Sequence, residues 1–251
     1  MNCSFTDDKI KAMKRKRFPL LSVLLAVCCF SLLLLAGCAT AVSEAELTED
    51  AYFLAVETVA LKARDNAVTN LFLHLNQGTE AMVPAEYSFL VSKRDNIPGL
   101  DGLLKKWSET VSEFAVTRYT EYSEFAESVI VTPLIGNPRD LLDAGIDSVS
   151  SFFRSQLEEQ MIQAVYAETE NLDTSAWESI LVQYDAWTAT RKLLLQEENP
   201  AIDDNDKDGR MIAAKALIQA FFKYMEDSEI LFRTTPNPDL DSRTARILGL
   251  D

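Results

Sequence analysis

The chain has 251 residues, 39 of them acidic and 24 basic, so its net charge is −15 with the one histidine neutral. Such an excess of carboxylates repels nucleic-acid phosphates and argues against a domain that lies flat on anionic lipid. At 47% apolar residues the chain can still bury a substantial core.

The N-terminus reads as an address. Lys9, Lys11, Lys14, Arg15, Lys16 and Arg17 precede an uncharged apolar run of 19 residues from Phe18 to Ala36. These are the charged and apolar regions of a secretory signal. The run is also just long enough to be an uncleaved membrane anchor. The end of the run decides between the two, because Leu35-Ala36-Gly37-Cys38 resembles the lipobox of bacterial lipoproteins. The resemblance implies cleavage between Gly37 and Cys38 and acylation of Cys38, with two or three acyl chains holding the product firmly in a bilayer. Ala39 stands where an aspartate would retain such a protein in the inner membrane. The expected location is therefore the cell envelope, periplasm-facing, on the inner leaflet of the outer membrane.

Loss of residues 1–37 changes the composition of what remains. Six basic and two acidic residues leave, so 18 basic and 37 acidic side chains remain, near −19 in all. Cys3, Cys28 and Cys29 leave with the signal and Cys38 is committed to lipid. The mature domain thus has no disulfide and must hold together by its core alone.

Residues 38–47 form a lipidated tether able to reach ~30 Å when extended. Thr48, followed by Glu49 and Asp50, has the form of a helix cap, and Leu54, Leu61, Val68, Leu71, Phe72 and Leu75 recur at helical spacing up to Gly78. Pro84, Pro98 and Asp95-Asn96 surround only a short apolar patch, Tyr87 to Val91. Leu104, Trp107, Val111, Phe114, Arg118, Tyr122, Phe125 and Val129 predict one long amphipathic helix ending before Pro133. Asn137-Pro138 starts a short helix that Gly145 stops. Asp147 is placed to cap the next, with Val149, Phe153, Leu157, Met161, Ala164 and Val165 inward. Asp173-Thr174 opens another, with Trp177, Ile180, Leu181, Tyr184 and Thr188 inward, to about Gln196. A last long helix presents Ala213, Leu217, Ala220, Phe221, Tyr224, Ser228 and Leu231 before Pro236 and Pro238 break it, and a short helix from Asp239 to Leu248 ends the pattern. No stretch alternates with period two. The expected fold is all-α: a single multi-helix, bundle-like domain over 48–251, behind a cleaved signal peptide (1–37) and a tether (38–47).

From Asn96 to Leu248 the order of short motifs resembles the bacterial lipoprotein family known as domain of unknown function 4197. The motifs are Thr117-Arg118-Tyr119-Thr120-Glu121, Phe153-Arg154 with Gln156-Leu157, Lys215-Ala216-Leu217 with Phe221, and Ser242-Arg243-Thr244 before Ile247-Leu248-Gly249. Asp208-Gly209-Arg210-Met211 departs from the family's Thr-Asp-Tyr-Val type of start to the last long helix. The resemblance implies a helical periplasmic domain behind a lipid anchor, without a particular activity.

Several groups could carry chemistry. Asp204-Asn205-Asp206-Lys207-Asp208-Gly209 opens like a calcium loop, with Asp204, Asp206 and Asp208 as ligands. Its twelfth position is Lys215, which cannot ligate, so any calcium binding would be weak and no other cofactor is expected. The competing reading makes Asp208 the cap of the following helix. His74 stands alone, and Glu158-Glu159 and Glu197-Glu198 are sequence neighbours that point apart on a helix. Arg118 falls on an apolar stripe and needs a carboxylate, so Arg118, Glu121 and Arg154 are expected to form a polar cluster that pins two helices or anchors a ligand. Trp107, Phe114, Tyr119, Tyr122, Phe125, Phe152 and Phe153 supply a core with aromatic surplus. The favoured reading is a non-catalytic envelope lipoprotein that binds an envelope protein or supports the envelope. The alternatives are a binding module for an apolar or amphipathic small molecule and, least supported, a carboxylate-dependent hydrolase.

Overall fold

In the computed structural model the described residues are 47–77, 82–118, 135–194, 200–202 and 207–250. They are all-α: α1 (Glu49–Gln77), α2 (Ser88–Ser92), α3 (Leu100–Thr117), α4 (Pro138–Asp143), α5 (Ser148–Glu168), α6 (Ser175–Leu193), α7 (Gly209–Thr234) and α8 (Ser242–Ile247), with single 3-10 turns at Ala85–Tyr87 and Thr169–Asn171. The chain divides into the units Met1–Leu47 and Thr48–Asp251, and every described residue but Leu47 belongs to the second. Gly37 and Cys38 lie outside the described residues.

The centre is α7, which packs most extensively on α1 and next on α5. It is buried around much of its circumference, through Ile212, Ala213, Leu217, Phe221, Phe222 and Met225. Against it α1 presents a stripe of small residues, Ala55, Val56, Val59, Ala60, Ala63 and Ala67. Small side chains at i, i+4 spacing let two helix backbones approach closely, so this face wins over the larger one. Two of the larger side chains expected inward from their spacing are not: Leu54 is 53% exposed on α1 and Leu231 is 64% exposed on α7. Phe232, not Leu231, turns inward.

Beside this stack α3 pairs with α6, and α3 also meets α1. The α3 core face, Leu100, Leu104, Trp107, Ser108, Val111 and Ala115, follows the expected three-and-four spacing. The long helix expected through Val129 has a described end at Thr117. Arg118 leaves helical geometry at φ −109 and ψ 11, and 119–134 lie outside the described residues. Gly99, at φ 81, precedes α3 in a left-handed conformation that favours glycine. The segment around Pro84 is pinned on both sides. Trp107 Nε1 donates to the Met82 carbonyl at 2.7 Å, and the Met82 amide donates to Ser108 Oγ at 3.0 Å. The Ala85 amide then reaches Gln219 of α7 at 2.7 Å.

Helix starts show which caps the sequence displayed. Asn137 accepts from the amides of Arg139 and Asp140, with Pro138 in the first turn. Asp241 does the same for Arg243 and Thr244 at the start of α8. Hydrogen bonds from Thr244, foremost, hold the Asp241 carboxyl below its ordinary value. A carboxyl lowered by folding contributes stability above its unfolded pKa, near 3.8, and loses it as pH falls through the lower folded value. Acidification from pH 5 to below pH 3 is expected to fray α8 first, seen as loss of protection at the Thr244 amide in hydrogen exchange. Asp241→Asn, which keeps the cap without the titration, should flatten that dependence.

Candidate functional site

Four polar or aromatic groupings stand out, and the first was not expected. Glu229, in the middle of the α7 core face, is fully buried. Its carboxylate accepts the amides of Val149 at 3.2 Å and Ser150 at 2.6 Å, the free N–H groups that open α5. Arg233, one turn on, closes the charge at 3.1 Å and donates to the carbonyls of Gly145 at 2.6 Å and Leu142 at 2.7 Å. The side chain of Asp147, expected to cap α5, makes no capping bond. A carboxylate at a helix N-terminus with its own guanidinium satisfies the burial conditions for both charges. One group thereby ties α7 to the start of α5 and the end of the α4 turn. The i, i+4 pair Glu229 and Arg233 was visible in the sequence, but its partners lie some 80 residues away.

The second grouping surrounds the start of α7. Asp208 Oδ1 accepts the Arg210 amide at 2.9 Å and Oδ2 accepts the Tyr166 hydroxyl at 2.9 Å. The bond to Asp208 raises the Tyr166 pKa above its ordinary value. Arg210 lies over the Tyr166 ring at 4.6 Å and reaches the Tyr166 carbonyl at 3.4 Å. Asp208 is therefore the cap, with both oxygens engaged. Lys215, at the twelfth position of the calcium-like pattern, stands 3.6 Å from Glu86. Asp204 and Asp206 lie outside the described residues, among which no group of three or more His, Cys, Asp or Glu side chains is placed to hold a metal. Gly209 opens α7 close to α6: a Cβ there would stand 3.0 Å from the Thr174 side chain and 3.2 Å from Trp177 Cβ. Gly209→Ala is expected to cost about 1 kcal/mol, the lower end of overpacking, measurable in urea unfolding.

The third grouping holds Arg118 and Arg154, two members of the expected cluster, each with a carboxylate partner. Arg118, half-buried, pairs with Glu168 at the end of α5 and lies 5.5 Å from the Phe114 ring centroid. Arg154 pairs with Glu158 on its own helix and with Glu226 of α7, each at 3.2 Å. These bonds, with the Glu158 contact foremost, raise the Arg154 pKa further above its ordinary value. Glu158 and Glu168 stand roughly 15 Å apart by helical rise, so these two carboxylate partners are separate. Glu121 lies outside the described residues. Arg154 ties α5 to α7 through Glu226, a different pair of helices from the one expected. Among the other candidates, Glu159 accepts from Gln163 at 2.9 Å, His74 stacks on Tyr224 at 5.1 Å, and Glu197 and Glu198 lie outside the described residues.

The fourth is an aromatic seam between α3, α2 and α6. Trp107 and Trp177, both fully buried, stand 5.6 Å apart, and Trp177 meets Tyr87 at 6.3 Å. Tyr184 packs on Phe89 at 5.4 Å and on Trp187 at 6.1 Å. Its hydroxyl donates to the Pro200 carbonyl at 2.7 Å. Burial raises the Tyr184 pKa. At the outer end of the seam the Trp187 ring carries two cations, Lys93 at 5.4 Å and Arg191 at 4.8 Å. Of the aromatics named from sequence, Tyr119, Tyr122 and Phe125 lie outside the described residues. The seam's outer end was missed because Trp187 continues the α6 stripe beyond Tyr184, where the sequence looks like more core.

Comparison with family models, curated proteins and solved structures finds no match to this chain.

Proposed function

We propose that this chain is an envelope lipoprotein, a non-catalytic helical domain held at a membrane through acylated Cys38. The observation that carries the reading is Leu35-Ala36-Gly37-Cys38 at the end of an uncharged run that six basic residues precede. Two further features support a binding or supporting role over a catalytic one. The best placed carboxylates, Glu229 and Asp208, are engaged in fixing helix starts. Glu158 and Glu226 are taken by Arg154. The location implied by Ala39 is the periplasmic face of the outer membrane.

The test is metabolic labelling with an alkyne-tagged palmitate in a bacterial host. The native chain should take up label and sediment with membranes, whereas Cys38→Ala should lose the label and retain residues 1–37. Label on the Cys38→Ala chain would refute the reading.

A further inference from the structure

The outer end of the aromatic seam does not resemble the rest of this acidic molecule. Along α6 the inward stripe of Trp177, Ile180 and Tyr184 continues at helical spacing through Trp187 and Arg191 to Leu194, but the core does not extend with it. Leu193 is 83% and Leu194 is 63% exposed, side by side at the helix end. Leu194 lies on the Trp187 stripe two turns on, Leu193 is turned about 100° from it around the helix end, and Lys93 and Arg191 converge on the Trp187 ring. Among the described residues no carboxylate stands within ion-pair distance of Lys93, Arg191 or Lys192, and Arg191 Nε is buried without a hydrogen-bond partner. Cations in the last helical turn suit the helix dipole, which accounts for Arg191 and Lys192. It does not account for two exposed leucines at the same helix end, nor for Lys93, which follows α2.

We infer that this end of α6 docks on the surface of an anionic phospholipid bilayer, with Leu193 and Leu194 entering the headgroup region, Trp187 at the interface, and Lys93, Arg191 and Lys192 against lipid phosphates. An amphipathic aromatic ring, exposed leucines and cations on long apolar stems are the chemistry of the membrane–water boundary. The net charge of the domain opposes general attraction, but charges beyond about 10 Å are screened at physiological salt, so the local cations decide which face turns to the lipid. This inference rests on the lipid-anchored reading for the nearness of a bilayer, which a tether of ~30 Å would keep within reach.

The experiment separates the two. Cys38 is the one cysteine after residue 37, and every described buried residue lies between Ala55 and Thr244. Residues 38–251 can therefore be coupled through the Cys38 thiol to a maleimide lipid, whatever a cell does with that cysteine. The vesicles contain phosphatidylethanolamine with brominated phosphatidylglycerol, which quenches tryptophan at the interface. Trp107 and Trp177 are fully buried, so quenching reports Trp187 and should vanish in Trp187→Phe. The expected result is quenching that Leu193→Gln with Leu194→Gln abolishes and that replacing the anionic lipid by brominated phosphatidylcholine weakens. Lys93→Gln with Arg191→Gln should lower the docking constant on the order of twentyfold. Both pairs lie outside the hydrophobic core, and circular dichroism checks that the helices persist. Unquenched Trp187 on the anionic vesicles would overturn the inference. So would quenching indifferent to Leu193 and Leu194, or a Trp187 emission moved by polyglutamate but not by vesicles, which would indicate an acidic protein partner.

Discussion

Glu229→Ala should destabilise the domain by about 3–5 kcal/mol, the cost of removing one partner from a buried ion pair. Three deficits coincide in that variant. The amides of Val149 and Ser150 lose their acceptor, and Arg233 keeps only neutral acceptors, the carbonyls of Gly145 and Leu142 and the Ser148 hydroxyl, with no carboxylate to balance its charge. For a domain of this size the midpoint of thermal unfolding should fall by about 10 °C. Urea unfolding at unchanged slope measures it. Arg233→Met should cost less alone, and the double variant much less than the sum, because the two singles share one interaction. If Glu229→Ala proved neutral, the carboxylate would not be the tie between α7 and α5.

Trp107→Ala should cost about 3–5 kcal/mol, the range for truncating a buried large aromatic. A sharper comparison uses phenylalanine. Trp107 Nε1 donates to the Met82 carbonyl, whereas Trp177 Nε1 is buried without a protein acceptor. Trp107→Phe therefore leaves a buried carbonyl unsatisfied, at about 1–3 kcal/mol, while Trp177→Phe removes a donor that had no partner. Both indoles are fully buried and 5.6 Å apart, so equal costs would mean that the Met82 bond contributes nothing.

These two sites also show what the sequence could convey. Local signals were legible in part: Asn137-Pro138 places its helix start because cap, proline and first turn are neighbours in the chain, whereas the last helix, expected from Asp239, starts at Ser242 behind the Asp241 cap. The α3 and α6 core faces were legible from spacing, because each helix buries one stripe of large residues. On α1 the same rule failed, since close approach to α7 favoured alanines over Leu54. Capping of α5 by Glu229 was not legible, as no local pattern says that a residue 79 or 80 positions later will reach back. The stripe position of Arg118 calls for a carboxylate, but Glu168, like Glu158 and Glu226 beside Arg154, is an ordinary member of an acidic chain until the helices are packed. Of the calcium-like loop only Asp208 is among the described residues, and its part as a helix cap was legible because Arg210 is its neighbour in the chain, while its bond from Tyr166 was not.

All of the functional reading descends from four residues, Leu35-Ala36-Gly37-Cys38. The most direct measurement is mass spectrometry of the N-terminal peptide of the protein purified from the membrane fraction of a bacterial host. The lipoprotein reading predicts a peptide beginning at Cys38, heavier than its sequence by a diacylglyceryl group and an N-linked acyl chain. A peptide that runs unbroken from Ala36 through Ala39 with an unmodified cysteine would contradict it.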